Sequence, residues 1–436
     1  MAAATAPSPA RMHRVAIASA TGTTIEFYDF FIYGTAAALV FGKVFFPALG
    51  PAAGTIAAFA TAGVAFIARP FGAILFGHFG DRIGRKGTLV ATLLLMGLST
   101  VAIGLLPTAA TIGIAAPILL IVLRVFQGLA VGGEWAGAVL LTAVYAPPMR
   151  RGLYALFPLL GPSLAFALAS ATFLITALTM SDESFLAYGW RIPFVASLIL
   201  IAVGLYVRLS IEETPVFRAA AQNKALAHNP LLDALRAQTK EVLLAGGALT
   251  MLFAFFYVGV TFLTSYGTTQ LGLSRPTVLS IGILGGAVMA VCTILSAIYS
   301  DRVGRRKLII AGNAAAIVAA LLLFPILDIG TPWSFALGLS IVMGLVGVAY
   351  GPAGAYLPEI FATRYRYTGA GMGYNLAGIL GGAVTPFLAA ALVQNYGSFA
   401  IGIYLAAMGL LSLLCVLALH ETKDVELHEA EAVASG

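Results

Sequence analysis

Long apolar segments separated by short polar ones run along the whole chain. Each apolar segment has about 20 residues or more, which is the length that an α-helix needs to cross the hydrocarbon core of a bilayer. The pattern therefore predicts an all-α membrane protein with twelve transmembrane helices. We place these helices at residues 15–43, 54–76, 88–107, 114–140, 152–177, 191–211, 241–266, 277–299, 308–327, 333–357, 367–393 and 398–420.

The longest polar interruption divides this pattern into two sets of six helices. We predict an N-terminal six-helix bundle at residues 1–211, a cytoplasmic linker at 212–240, a C-terminal six-helix bundle at 241–420 and a cytoplasmic tail at 421–436. The charged residues of the linker are expected to lie on solvated surface helices rather than in a binding site.

A basic loop occurs once in each half. The sequence Asp81-Arg82-Ile83-Gly84-Arg85-Lys86 returns as Asp301-Arg302-Val303-Gly304-Arg305-Arg306, 220 residues later. Two copies in matching positions indicate an internal duplication, and parallel repeats are typical of transporters. Each aspartate lies where the next helix begins, so it can cap backbone N–H groups and hold an arginine. The alternative is a loop that only sets the orientation of the helices in the membrane.

Composition and charge agree with a membrane location. The chain of 436 residues is 60% hydrophobic and only 10% charged, whereas soluble proteins carry about 25% charged residues. Most Lys and Arg residues fall on one side of the predicted membrane map, and only Lys43, Arg191 and Arg275 fall on the other. This asymmetry predicts that both termini are cytoplasmic. Because topology explains the net charge of +6, we expect no nucleic acid as a partner.

Three carboxylic acids lie at membrane depth, where charged groups are functional candidates because they are costly to bury. Glu26 and Asp29 are three residues apart and share one helix face. Two nearby carboxylates repel each other when both are ionised, so one of them can hold a proton near neutral pH. Glu134, which follows Gly132-Gly133, is a candidate for a second proton-binding group or a partner in an external gate. The alternative for Glu26 and Asp29 is that each pairs with an arginine to fix helix packing.

Two arginines also lie inside predicted helices. Arg124 is deep in the fourth segment and must face the interior of the bundle, where it can pair with Asp29 or Glu26 or bind a substrate carboxylate through two hydrogen bonds. The alternative is a purely structural ion pair. Arg69, next to Pro70, either has a function or extends its side chain to the cytoplasmic interface.

The second half offers polar and aromatic groups rather than charges at membrane depth. A pocket with charged groups on one side and aromatic walls on the other suits a small carboxylated or zwitterionic solute, although any single aromatic residue can simply be a packing residue. Asn375 is a stronger candidate because an amide within the bilayer needs partners. The predicted substrate-binding residues of both halves are Arg124, Tyr33, Gln127, Tyr257, Tyr350, Tyr374 and Asn375.

Several motifs together resemble the major facilitator superfamily and, within it, the metabolite:proton symporter family of bacterial inner membranes. That family includes carriers of shikimate, 2-oxoglutarate, citrate, and proline or glycine betaine. The motifs are the two basic loops, Arg124-x-x-Gln127-Gly128, Glu212-Glu213-Thr214-Pro215, Glu26-Phe27-Tyr28-Asp29-Phe30, Arg69-Pro70-Phe71-Gly72, Gly132-Gly133-Glu134-Trp135, Gly189-Trp190-Arg191-Ile192-Pro193-Phe194 and Arg366-Tyr367-Thr368-Gly369.

The resemblance implies two pseudo-symmetric six-helix bundles around a central cavity, with alternating access to the two sides of the inner membrane. It implies a transporter and not an enzyme. This transporter would take up a small organic acid or zwitterion by symport, driven by the proton gradient and without a cofactor. Its partners would be protons, the metabolite and the lipid bilayer. We expect a monomer. Glu26, Asp29 and Glu134 would couple protons, and the basic loops would latch the cytoplasmic side. We assign gating to Arg69, Asp81, Arg82, Arg85, Asp301, Arg302 and Arg305.

Two other functions remain open. Gly161-Pro162 is similar to part of an antiporter motif of the superfamily, although the glycines that follow in that motif are missing here. A proton-coupled exporter of a drug or metabolite is therefore one alternative, and a symporter of betaine or proline is the other. A membrane enzyme is disfavoured because the sequence shows no metal-binding cluster, nucleophile–base set or phosphate-binding loop.

Overall fold

The computed structural model describes residues 9–83, 85–132, 151–210, 230–362 and 365–423, with the side chains of all but 9–16, 18, 77–86, 151, 210 and 230–235. The regular elements in these ranges are all helical. Helices are expected because the hydrocarbon core offers no hydrogen-bond partner to the backbone, and a helix satisfies its own N–H and C=O groups.

Twelve long helices follow one another in the described ranges, alternating in direction. We call the face where α1 begins and α12 ends the terminal face, and the opposite one the distal face. The helices are α1 Pro9–Ala36, α2 Gly50–Ile83, α3 Arg85–Leu105, α4 Ala115–Val131, α5 Arg151–Thr179, α6 Ile192–Ser210, α7 Pro230–Ala248 with Thr250–Tyr257 and Leu263–Thr269, α8 Arg275–Val303, α9 Arg305–Leu327, α10 Pro332–Ile360, α11 Arg366–Ala377 with Thr385–Tyr396, and α12 Ser398–Ala418.

The helices confirm the predicted apolar segments. In the part of the chain that the structure describes, eleven are long and apolar enough to cross a membrane, and Ala115–Val131 is a shorter apolar helix. Polar side chains define two helix starts on the distal face. Ser274 Oγ accepts the Thr277 N–H at the start of α8, and Thr331 Oγ1 accepts the Ser334 N–H at the start of α10.

The duplication is visible in the backbone as well as in the basic loops. The α1 helix continues through a π-helical turn at Ala37–Phe41, and α7 contains one at Val258–Phe262, which begins 221 residues later. A third π-helical turn, Gly378–Ala383, lies within α11. Such turns are rare and are frequent at functional sites. Here the first two occupy equivalent positions in the two halves.

The end of the predicted linker belongs to a helix. Residues 230–240 form the start of α7, and the backbone departs from helical geometry at Gln238. This kink separates a short surface helix from the apolar part of α7. The linker residues from 211 to 229 lie outside the described residues.

The two bundles meet on both sides of their common centre. The α5 helix packs along α8 and against α10. Towards the distal face, a Cβ atom on Gly34 of α1 would lie 2.7 Å from Oγ1 of Thr261 in α7, and one on Gly63 of α2 would lie 2.9 Å from the carbonyl oxygen of Ala383. Glycine at both positions lets helices of opposite bundles approach closely.

The contact between α1 and α7 predicts a specific crosslink. The Cβ positions of residues 34 and 261 are 3.7 Å apart, close to the mean of about 3.8 Å in disulfides. The variant Gly34→Cys/Thr261→Cys, with Cys292 and Cys415 replaced by Ala, should therefore join the two halves on oxidation. The joined halves should stay together on a denaturing gel after cleavage at a protease site inserted between residues 212 and 229.

Gly22→Cys/Thr261→Cys is the control, because nothing lies within 4 Å of a Cβ atom on Gly22. Two separate halves from oxidised Gly34→Cys/Thr261→Cys protein, whose cysteines still react with a maleimide after denaturation, would contradict the described packing.

Candidate functional site

Two buried arginines flank one aromatic ring between the bundles. The guanidinium carbon of Arg69 lies 4.5 Å from the centroid of the Phe30 ring and 4.3 Å from that of Phe66. The guanidinium carbon of Arg124 lies 4.7 Å from the Phe30 centroid and 3.9 Å from that of Tyr33. Arg69 is 3% exposed and Arg124 is 1% exposed. The aromatic faces partly replace the water that both cations have lost.

Arg69 does not extend to the cytoplasmic interface, and that alternative is wrong. It lies within the long helix α2, and aromatic faces hold its guanidinium at the centre of the molecule. Its charge acts on Glu26 of α1 and on Tyr257 of α7. The carboxyl group of Glu26 and the rings of Phe30 and Phe66 thus compensate the charge of Arg69 in its buried position. Its side chain therefore does not need to reach a membrane surface.

A chain of hydrogen bonds connects Arg124 with Asp29. Arg124 donates from Nη1 to Oε1 of Gln127 (2.8 Å), Gln127 donates from Nε2 to Oγ1 of Thr100 (2.7 Å), and Thr100 donates to Oδ2 of Asp29 (2.9 Å). Arg124 also donates from Nη2 to the carbonyl oxygen of Ala62 (3.1 Å). The connection between Arg124 and Asp29 therefore runs through two neutral side chains of α3 and α4.

Thr100 is a site residue that the sequence did not reveal. It is one of several hydroxyl residues in α3, next to Ser99, and such residues commonly bond only to their own helix. Its side chain is 0% exposed, as is that of Gln127. Only the packing of α3 between α1 and α4 makes it the link.

The two predicted proton-binding acids are both buried. Glu26 is 5% exposed and Asp29 is 2% exposed. Oε1 of Glu26 and Oδ1 of Asp29 have no hydrogen-bond partner among the described residues. Arg69 and Arg208 are the cations whose charges act on Glu26, and the charge of Glu26 acts on Asp29. Each acid thus keeps one oxygen free to receive a proton, and the two acids influence each other. Glu134 lies outside the described residues.

An aromatic cavity lies next to these charges, between the bundles. The free space between its rings is small, about 10 Å³, and its walls include Phe27 and Pro162 from the first bundle. The second bundle contributes Phe253 and Phe256 and the three predicted residues Tyr257, Tyr350 and Tyr374. The Phe66 ring connects the cavity to Arg69, because its centroid is 5.0 Å from that of Tyr257. A space of about 10 Å³ has room for about one water molecule, so a solute beside Arg69 would require these rings to move apart.

Four of the predicted substrate-binding residues are not walls of this cavity, and Arg124, described above, is one of them. Tyr33 lies under Arg124, and its hydroxyl group is 2.6 Å from Oγ1 of Thr61. Gln127 is held in the chain of hydrogen bonds to Asp29. Asn375 donates from Nδ2 to the carbonyl oxygen of Gly132 (3.3 Å) and so connects α11 with the end of α4. These residues support the site or the contact between bundles, because each is already hydrogen-bonded there.

A second polar cluster lies at the terminal face and joins the bundles. The carboxylate of Asp301 accepts the N–H groups of Gly152 (3.0 Å) and Leu153 (3.3 Å) at the start of α5. It also pairs with Arg305 at 2.9 Å, and Arg305 lies 3.3 Å from Oε2 of Glu359. Asp301 thus caps a helix of the opposite bundle while it holds an arginine of its own.

Asp301 therefore caps backbone N–H groups and holds an arginine as predicted, but the helix that it caps is α5 of the opposite bundle and not the next helix, α9. The first N–H groups of α9, from Arg305 and Arg306, are bonded by the carboxylate of Glu421, which comes from the segment after α12. Gly304 has φ +111°, a conformation that glycine adopts without strain and that starts α9 in a new direction. The sequence missed Glu359 and Glu421 because local spacing does not show their contact with α9.

The other gating candidates are described only in part. Arg302 is exposed, and its carbonyl oxygen accepts a hydrogen bond from the Lys423 ammonium group. The side chains of Asp81, Arg82 and Arg85 lie outside the described residues. The first basic loop therefore stays a prediction.

The cap on α5 can be tested by hydrogen exchange. Asp301→Ala removes the acceptor of two N–H groups, and loss of such a cap costs about 1 kcal/mol, so their opening should become about fivefold more frequent. Mass-spectrometric hydrogen–deuterium exchange of a peptide that covers residues 152–156 should show this increase. Asp328→Ala is the matched control, since the carboxylate of Asp328 is bonded by Tyr266 and Ser398 on the distal face. Equal exchange in both variants would show that Asp301 does not hold α5.

Comparison with known proteins identifies the architecture and the class. The family profile of the Major Facilitator Superfamily matches residues 19–379 and 287–435. The inner membrane metabolite transport protein YhjE of Escherichia coli (strain K12) is 45% identical over 95% of this chain and 96% of its own. The shikimate transporter of the same strain is 38% identical over 95% of this chain and 96% of its own.

A solved structure shares the fold. It is that of the proton:xylose symporter XylE bound to 6-bromo-6-deoxy-D-glucose, with a TM-score of 0.76 and 18% identity over 98% of this chain and 99% of the other. The two-bundle fold predicted from the sequence is thus confirmed.

Proposed function

This chain belongs to the Major Facilitator Superfamily and is a multi-pass membrane transporter, and we propose that it takes up a small organic acid together with a proton. The observation that carries this proposal is the set of four buried ionisable side chains in the first bundle: Arg69 and Arg124 on the face of Phe30, and Glu26 and Asp29 on the same helix as Phe30. The relatives that transport metabolites, one of them shikimate, support an organic acid as the substrate class.

The charges explain why the proton and the acid would travel together. When both carboxylates are ionised, they balance the two guanidinium groups. A proton on either acid leaves one positive charge uncompensated in an apolar environment, where such a charge is costly. An entering carboxylate restores the balance. The Nε atoms of Arg69 and Arg124, which have no hydrogen-bond partner among the described residues, are donors that such a carboxylate can use.

We assign the first substrate contact to Arg69 rather than to Arg124. Arg69 stacks on Phe66, which contacts the cavity residue Tyr257, whereas both Nη atoms of Arg124 already donate to Gln127 and Ala62. Tyr257, Tyr350 and Tyr374 would form the wall against which the rest of the solute lies. Glu26 and Asp29 would bind the proton, and the proton gradient would supply the energy.

Contacts on opposite sides of the cavity provide the gates for alternating access. We propose that the glycine contacts at Gly34 and Gly63 close the distal side, and that the capping of α5 by Asp301 closes the terminal side. The excess of Lys and Arg on the terminal face supports a cytoplasmic position for that face in a bacterial cell. The contact between Asp301 and the start of α5 would then hold the protein in its outward-open state. Each chain encloses its own cavity, so a monomer suffices for transport.

Export by antiport is the second candidate, and the structure gives its sequence motif another role. A Cβ atom on Gly161 would collide with Thr23 of α1. Gly161 is therefore required for the packing of α5 on α1, whichever way protons move.

Proteoliposomes that contain a pH-sensitive dye test the proposal. The panel is shikimate, 2-oxoglutarate, citrate, betaine, proline and several cationic drugs. We expect one organic acid, added outside, to carry protons into the vesicles with it. Proton movement out of the vesicles on addition of a cationic drug would establish antiport instead, and a response to betaine or proline alone would replace the organic acid by an osmolyte.

Variants assign the substrate contact in the same assay. Arg69→Ala should abolish acid-driven proton uptake because the carboxylate loses its cation. Lys43→Ala is the control, since it removes an exposed cation at the distal end of α1 and should leave uptake unchanged. Full uptake by Arg69→Ala would refute the assignment while leaving symport in place.

A further inference from the structure

We propose that the hydroxyl group of Thr100 is a two-position switch that transmits the protonation of Asp29 to Arg124 through Gln127. This inference rests on the proposed function, because it requires Asp29 to bind the transported proton. It assigns Thr100 as a positioning residue, since it acts on Arg124 through another side chain.

The chemistry of the guanidinium group determines the direction of every hydrogen bond in the chain. Arginine has only donors, so the amide oxygen of Gln127 must face Arg124 and the amide nitrogen must face Thr100. The Thr100 oxygen is thereby an acceptor for Gln127. Its single hydrogen remains available for a bond of its own.

Two acceptors compete for that hydrogen. Oδ2 of Asp29 lies 2.9 Å from Oγ1 of Thr100, and the carbonyl oxygen of Met96 lies 3.0 Å from it. An ionised Asp29 takes the hydrogen because a bond to a carboxylate is stronger than one to a neutral carbonyl group. The side chains of Thr100 and Gln127 are 0% exposed and that of Asp29 is 2% exposed, so bulk water does not compete for these positions.

Protonation of Asp29 reverses the bond between the two side chains. Once the proton has bound to the free Oδ1, a half-turn of the carboxyl group presents its O–H to the Thr100 oxygen, and the Thr100 hydrogen turns to the Met96 carbonyl group. One proton is added to Asp29 and every other hydrogen stays on its own oxygen or nitrogen. The Thr100 oxygen then accepts from both Asp29 and Gln127, and the chain no longer ends on a negative charge.

The change reaches Arg124 because hydrogen bonds in a chain polarise one another. When Asp29 is ionised, its negative charge pushes electron density along the chain through Thr100 to Gln127. The Gln127 oxygen is then a strong acceptor for Arg124. When Asp29 is protonated, the Gln127 oxygen is a weaker acceptor, and the charge of Arg124 is less compensated. The arginine then attracts a carboxylate more strongly, so that the proton favours binding of the acid.

The other charged and titratable groups around Asp29 are few. On α1 they are Glu26, whose charge acts on Asp29, and Tyr28, whose hydroxyl group bonds to Thr172 of α5. Arg69 of α2 and Arg208 of α6 act on Glu26. Among the described residues, Arg124 is the cation joined to Asp29 by hydrogen bonds.

Infrared difference spectroscopy during a pH change tests the switch without any substrate. In the wild-type protein, acidification should produce a carboxylic-acid C=O band, assigned to Asp29 by its loss in Asp29→Asn. A shift of the guanidinium bands should accompany it, assigned by its loss in Arg124→Lys. In Thr100→Val the C=O band should remain at a changed frequency, and the guanidinium shift should disappear.

Thr100→Ser keeps the hydroxyl group and should restore the guanidinium shift, which a purely steric role of Thr100 would not explain. Ser99→Ala is the matched control, because the neighbouring Ser99 hydroxyl bonds only to the carbonyl oxygen of Leu95 in the described structure. If Thr100→Val does not fold, Thr100→Ala removes the same hydroxyl with less bulk and gives the same readout.

A guanidinium shift that persists in Thr100→Val or Thr100→Ala would overturn the switch. The switch would also be overturned if wild-type protein shows no Asp29 band but still moves protons with an acid in proteoliposomes. That result would leave symport in place. Wild-type protein that moves no protons with any acid of the panel would instead refute the proposed function, and the switch with it.

Discussion

The burial of four ionisable side chains in the described part of the first bundle, Arg69, Arg124, Glu26 and Asp29, is the constraint on which the rest of the structure depends. A charged side chain at the centre of a bilayer costs roughly 2.5–3.5 kcal/mol even on permissive insertion scales. Aromatic faces and hydrogen bonds compensate part of that cost at Arg69 and Arg124. The carboxylates of Glu26 and Asp29 supply the remaining negative charge. Removing any one of the four charges leaves a buried ion uncompensated, and transport would use this imbalance.

The described structure contains contacts between the bundles on both sides of this site, and in the proposed cycle one of them opens while the other stays closed. Glycines let α1 and α7 meet towards the distal face, and Asp301 holds the start of α5 at the terminal face. These two contacts differ in kind. The distal contact is tight packing without charge, while the terminal contact is a polar cluster in which Arg305, Glu359 and Glu421 also take part. In the proposed cycle, opening the distal side would break van der Waals contacts, and opening the terminal side would break helix capping and ion pairs.

Much of the fold could be predicted from the sequence because hydrophobic length and repeated loops are local signals. The apolar segments, the duplication and the buried position of Arg124 all follow from residues that are close in the chain. The connections between helices do not. Thr100 is an ordinary residue of an apolar segment until α3 packs between α1 and α4. Asp301 caps α5 rather than α9 because the two halves face each other, and no spacing within one loop reveals that. Arg69 was ambiguous because a residue beside a proline can lie at a helix end or, as here, inside a long helix.

The central claim is that one proton compensates the charge of one carboxylate in this site. The most direct measurement is the proton flux into proteoliposomes driven by a monocarboxylic acid that the protein transports, at membrane potentials of zero and inside-negative, set with potassium and valinomycin. A monocarboxylate that travels with one proton carries no net charge, so the account predicts the same initial flux at both potentials. A flux that rises severalfold at the inside-negative potential would show that net positive charge crosses the membrane. That result would contradict the charge balance described here.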